Sequence, residues 1–149
     1  MTAHPSLVRR IALGKLVGLA VGLTAFFVLP QVAPEAGAMT RWGVLLWYVT
    51  LGGVVGMAGV MTWHPVLRLP LPWWFRAPMI GAWMNFVLTF FAYDKMKMVV
   101  VAFLQGDGPL ASPWWFVLEG AIVGLLIGAV ATRFAGEGPA LVSELEPKP

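Results

Sequence analysis

The chain has 149 residues, of which 59% are hydrophobic and only 11% charged, with a net charge of +3. A soluble domain carries about 25% charged residues, so this composition excludes an ordinary soluble fold and points to one membrane domain. The basic residues are scattered between apolar runs and form no patch, which argues against nucleic acid as a partner. The absence of cysteine excludes disulfides, thiolate chemistry and cysteine-ligated iron–sulfur or haem groups.

Residues 1–10 read as a basic arm ending in Arg9 and Arg10. The apolar run from Ile11 to Leu29, broken by Lys15 and closed by Pro30, is long enough to cross a bilayer. It is long for a signal peptide and lacks a small-x-small cleavage site, so a retained first helix is expected. Lys15 sits close enough to one end to snorkel to the headgroups. Gly14, Gly18 and Gly22 recur every fourth residue and so share one face.

Residues 30–41, with two prolines, Glu35 and Gly37, are expected to form an irregular loop. The second helix is expected over about Trp42–Met61, bracketed by Trp42 and Trp63 at the two headgroup levels. Gly52 and Gly56 mark its close-approach face, which Gly53 widens.

Residues 62–77 contain Pro65, Pro70 and Pro72 among aromatic and apolar residues. The prolines forbid a continuous helix, and a segment lying in the interface fits best. There His64, Arg68, Trp73, Trp74 and Arg76 would meet lipid headgroups or a partner protein. His64 beside tryptophan reads as an interfacial residue rather than a metal or cofactor ligand.

The third helix is expected from about Pro78, a favourable first-turn residue, to Tyr93 or beyond. Ala77, Gly81, Asn85, Thr89 and Tyr93 stand four apart on one face. Asn85 lies near mid-membrane, where an unpaired amide is costly, so it must bond another helix, a ligand or water. Beyond Asp94, Lys95 and Lys97 the chain is apolar again to Leu104. Either the helix continues, with Asp94 and Lys97 pairing at helical spacing, or it breaks near 94 and returns along the surface.

After a turn region over 105–113, the fourth helix is expected at about 113–133, with Ser112 as cap and Pro113 in the first turn. Gly120, Gly124 and Gly128 form a bare stripe suited to close helix contact. Glu119 adjoins its top. An intramembrane carboxylate is functional or paired; the alternatives to function are snorkelling, or pairing with Arg41 or Lys95. Residues 134–149, rich in proline, glycine and glutamate, read as a flexible tail. Pro72-Trp73-Trp74-Phe75 recurs as Pro113-Trp114-Trp115-Phe116, better explained by two aromatic belts than by duplication.

The whole is an all-α membrane protein: four transmembrane helices, short loops, and an interfacial aromatic, proline-rich segment between helices 2 and 3. With both termini cytoplasmic in a bacterial-type inner membrane, seven of the ten basic residues fall on the inner side, including Arg133 and Lys148, in line with the positive-inside rule. No HExxH, P-loop, GxSxG or dinucleotide fingerprint occurs, and no histidine pair spans two helices to ligate haem. The expected role is a non-catalytic structural or accessory subunit of a membrane complex. Its partners would be lipids and other membrane subunits or copies of itself, met through the glycine faces. The alternative is a small homo-oligomeric channel or transporter using Glu119, Asn85 and Thr89, with Asp94 a shallower polar candidate.

Overall fold

A computed structural model describes residues 5–145; His4 and Lys148 lie outside them. The fold is all-α. It comprises α1 (Leu7–Val32), α2 (Gly37–Met57), α3 (Trp73–Leu104) and α4 (Trp115–Ala135), with 3-10 turns at Pro34–Ala36, Ala58–Val60 and Pro139–Leu145. Three segments among the described residues, Leu7–Val32, Pro34–Val60 and Trp115–Ala135, are long and apolar enough to cross a membrane.

The helices form two hairpins. α1 lies along α2 and α3 along α4; the hairpins meet mainly through α1 and α4, while α2 and α3 touch little. Each hairpin closes on a glycine seam. A methyl group at Gly14 would overlap the Gly52 carbonyl, and one at Gly18 the carbonyl of Tyr48. In the second hairpin, added methyl groups at Gly81 and Gly124 would overlap the carbonyls of Gly120 and Ala77. Backbones this close gain dispersion contacts that bulkier residues forbid. Between the hairpins, Tyr48, Leu51, Val55, Ala77, Val123 and Ile127 form the core.

Several boundaries depart from the sequence reading for local reasons. Pro30 does not close α1, which continues to Val32. Proline has no N–H to offer the carbonyl four residues back, and the orphaned Phe26 carbonyl accepts instead from Arg41 Nε of α2 at 3.1 Å. The expected loop over 30–41 therefore shrinks to the turn Pro34–Ala36. α2 begins at Gly37, so Trp42 lies inside it.

α3 begins at Trp73, not Pro78. The extended Pro72 is its cap, and the Pro72 carbonyl accepts from Phe75 N and Arg76 N. In the second copy the Pro113 carbonyl likewise accepts from Phe116 N, one residue outside the cap of α4. The recurrence thus marks two helix starts. Trp114, rather than Ser112, is the residue at the cap of α4; the Ser112 hydroxyl accepts only from Trp114 N at 3.4 Å.

α3 neither breaks at 94 nor runs straight. It bends at Ala92 (φ −118°, ψ 21°) and continues to Leu104, ending at the left-handed Gln105. Asp94 does not pair with Lys97; Lys97 bonds Asp107 and the Ala111 carbonyl in the following loop.

Neither the arm nor the tail is loose where it is described. Leu7–Arg10 belong to α1, capped by the Ser6 hydroxyl accepting from Arg9 N. Leu141 is fully buried, and Gly138 N donates to the Gly59 carbonyl. Two buried arginines fasten this end. Arg10 donates to the carbonyls of Gly56 and Gly136 and to the Thr132 hydroxyl. Arg76 donates to the carbonyls of Met61 and Leu71 and pairs with Glu137 at 3.0 Å. Guanidinium carries five donors in a fixed fork, so each arginine ties several strands of chain at one point.

Candidate functional site

Where α2, α3 and α4 approach at the level of the first turns of α4, four polar side chains converge. Glu119 lies one turn into α4. Its Oε2 accepts from Tyr48 Oη of α2 at 2.5 Å and from Asn85 Nδ2 of α3 at 3.0 Å. Asn85 also donates to the Phe116 carbonyl at 2.8 Å, and its Oδ1 accepts from Trp47 Nε1 at 2.8 Å. Every polar atom of the Asn85 side chain is engaged, as its complete burial requires. The cluster ties three helices at one depth.

Glu119 Oε1 is different. It accepts from none of the described residues, and it is not sealed in, since no buried side-chain oxygen among them lacks a partner. Glu119 lines a cleft of about 740 Å³ between the α1–α2 hairpin and the C-terminal half of α3. Tyr48, Trp47 and Phe116 share this end of the cleft with it. The remaining walls are apolar, with Val21, Val28, Val44, Leu88, Met96 and Val99 prominent, and Lys95 is an exposed residue on the α3 wall. The bend at Ala92 lies on the same wall. A concave apolar space of this size with a few convergent polar groups has the general form of a small-molecule site.

The pairings expected for Glu119 are not those found. Arg41 is held at the Phe26 carbonyl and lies over the Phe26 ring, 4.3 Å from its centroid. Lys95 makes no ion pair with Glu119. Of the other polar candidates, Thr89 is fully buried but donates to the carbonyl of Asn85 one turn back, so its hydroxyl does not reach the cleft. Asp94 is exposed and stands outside the cluster.

In the aromatic segment, His64 is engaged locally: its Nδ1 accepts from Leu67 N at 3.0 Å. Arg68, in left-handed conformation (φ 52°), and Trp74 are exposed, and Trp73 is half-buried. Arg76, expected among the headgroup contacts, is 3% exposed because the chain's own carbonyls and Glu137 surround it. Gly14, Gly18, Gly22, Gly52, Gly56, Gly81, Gly120, Gly124 and Gly128 are all buried, each facing another helix of the same chain.

Tyr48 and Trp47 were not among the sequence candidates. Tyr48 carries a legible signal, for it stands four residues before Gly52 on the 48/52/56 stripe and so on the contact face of α2. Trp47 carries none; only the position of Asn85 on another helix selects it. Comparison with protein-family models, characterised proteins and solved structures yields no match, which leaves the cluster and its cleft as the features that bear on what the chain does.

Proposed function

We propose that the chain is a non-catalytic accessory subunit of an integral membrane complex, and that it works by holding an apolar ligand inside its own bundle. The observation that carries this reading is the 740 Å³ cleft with a hydrogen-bonded carboxylate at one end. The glycine faces are engaged within the two hairpins, so contacts to other membrane components run through the cleft and the exposed aromatic surface of α3, where Trp83, Phe90 and Phe91 lie.

The fourth crossing in this reading is the first part of α3, from Trp73 to the bend at Ala92. Its length at ~1.5 Å per residue matches a hydrocarbon core of ~30 Å. The segment over 62–72 then lies in the interface. The start of α1, the end of α4 and the 62–72 loop gather at one end of the bundle, with Arg9, Arg68 and Arg133 exposed there. That grouping supports a cytoplasmic placement for both termini in a bacterial-type inner membrane.

Gly43 lines the cleft and has open space where a side chain would begin, so Gly43→Trp fills the cleft without disturbing a packed contact. Native mass spectrometry of the protein extracted gently from its own membrane is expected to find a bound nonprotein mass, lost in Gly43→Trp. A bare chain in both cases would overturn the reading. The second reading, a homo-oligomeric channel or transporter, draws on Glu119 Oε1 and Asn85 alone, since the Thr89 hydroxyl is engaged elsewhere. It requires solute flux in liposomes that Glu119→Gln abolishes.

A further inference from the structure

We infer that the cleft takes a lipophilic amine in its protonated form, held by an N–H donated to Glu119 Oε1. The inference rests on the reading of the cleft as a ligand site and names the chemistry of its occupant. Three features of one place point the same way. The first is shape and polarity: a cleft of about 740 Å³ is within the range that encloses a drug-sized molecule, and its walls ask for an apolar body.

The second is the carboxylate itself. Both donors to Oε2, the Tyr48 hydroxyl and the Asn85 amide, are neutral. They orient the carboxylate without compensating its charge, and no lysine, arginine or histidine among the described residues pairs with it. A carboxylate away from bulk water without a counter-charge is costly. An ammonium group bearing a hydrogen supplies the donor missing at Oε1 and the missing charge together, in a charge-assisted hydrogen bond. A neutral alcohol supplies the first alone, a quaternary ammonium the second alone, and an anion neither.

The third is the aromatic surround. Tyr48, Trp47 and Phe116 share the Glu119 end of the cleft, and ring faces attract a cation where water is scarce. Lys95 is the other charged residue lining the cleft among those described. It is exposed and does not reach Glu119 in an ion pair. Two cations in one apolar cleft repel each other, so Lys95→Met is expected to tighten amine binding.

The test uses two probes of equal size, 4-phenylbutylamine and 4-phenylbutanol, titrated calorimetrically into the full chain in lipid nanodiscs, with empty nanodiscs as reference. The amine is expected to bind at least about tenfold more tightly than the alcohol, the scale of one charge-assisted hydrogen bond. Glu119→Gln should bring the two probes level, and Gly43→Trp should weaken both. Should Glu119→Gln fail to fold, the comparison of the probes on the wild type and on Gly43→Trp still decides. Equal affinity of amine and alcohol for the wild type overturns the amine while leaving an apolar-ligand site standing. No saturable binding of either probe, or binding indifferent to Gly43→Trp, overturns both.

Discussion

Glu119, Asn85 and Tyr48 each answer a different demand. Asn85 is fully buried and must have every polar atom paired; Trp47, Phe116 and Glu119 provide the partners. Tyr48 turns an apolar ring into the core and its hydroxyl onto Glu119. Thr89 bonds only within its own helix, an arrangement that adds little. Tyr48→Phe is therefore expected to cost roughly 1.5–3 kcal/mol, the range for losing a hydrogen bond to a charged group, with Asn85 still donating to Glu119 Oε2. Thr89→Val should cost under about 1 kcal/mol. Unfolding in mixed micelles followed by near-ultraviolet circular dichroism separates the two; equal losses would remove the cluster from the list of stabilising features. Asn85 and Glu119 were legible in the sequence as polar residues out of place in lipid. Their union was not, because helical spacing fixes which face a residue occupies on its own helix, and says nothing of the depth at which that face meets another.

At the scale of the element, glycine spacing located the contact faces but left open which helix each would touch. Gly14 and Gly18 face Gly52 and Tyr48, and Gly81 faces Gly120. The chain thus fills its own glycine faces, where the spacing alone suggested surfaces for outside helices. A graded comparison follows. Gly18→Ala places a methyl group on the Tyr48 carbonyl and is expected to destabilise by roughly 1–3 kcal/mol, as other overpacked sites do. Gly43→Ala, in open space on the same helical hairpin, should stabilise by roughly 0.5–1 kcal/mol through helix propensity. Denaturation in dodecyl maltoside and sodium dodecyl sulfate reads both, and a destabilising Gly43→Ala would contradict the open placement of that residue. Helix ends were harder to foresee. Pro30 reads as a stop, yet the Arg41 side chain on the next helix satisfies the carbonyl that the proline leaves bare, a compensation between residues far enough apart that local rules do not cover it. The described part of the tail follows the same rule: its glycines and prolines signal irregular backbone, while Arg76, sixty-one residues earlier in the chain, holds Glu137.

At the scale of the whole molecule, the four helices alternate in direction, and the path of α3 decides on which sides the loops lie. The chain has no cysteine, so single cysteines report directly. Val66 and Leu110 are exposed, at 81% and 66%, in the loops at either end of α3. Val66→Cys and Leu110→Cys are expected to differ in reaction with a membrane-impermeant maleimide: the second labels in intact cells, the first only after lysis. Labelling of both from the same side would mean that α3 does not cross. All-α architecture and membrane character were plain from apolar runs of sufficient length. The status of α3 was not, because its tryptophans, Asn85 and Thr89 lower its hydropathy, the last two while hydrogen-bonded inside the bundle.

The two arginine-centred knots at one end of the bundle have a mechanical consequence. Arg10 and Arg76 lash the start of α1, the end of α2, the start of α3 and the chain after α4 to one another. At the opposite end α2 and α3 diverge around the cleft. The two hairpins, each zipped by its own glycines, are therefore clamped at two levels: at the arginine end where the chain segments meet, and at the Glu119 cluster, where Tyr48 and Trp47 of one hairpin bond Glu119 and Asn85 of the other. Any change in the angle between the hairpins must break the Tyr48–Glu119 and Trp47–Asn85 bonds, even though no glycine seam parts.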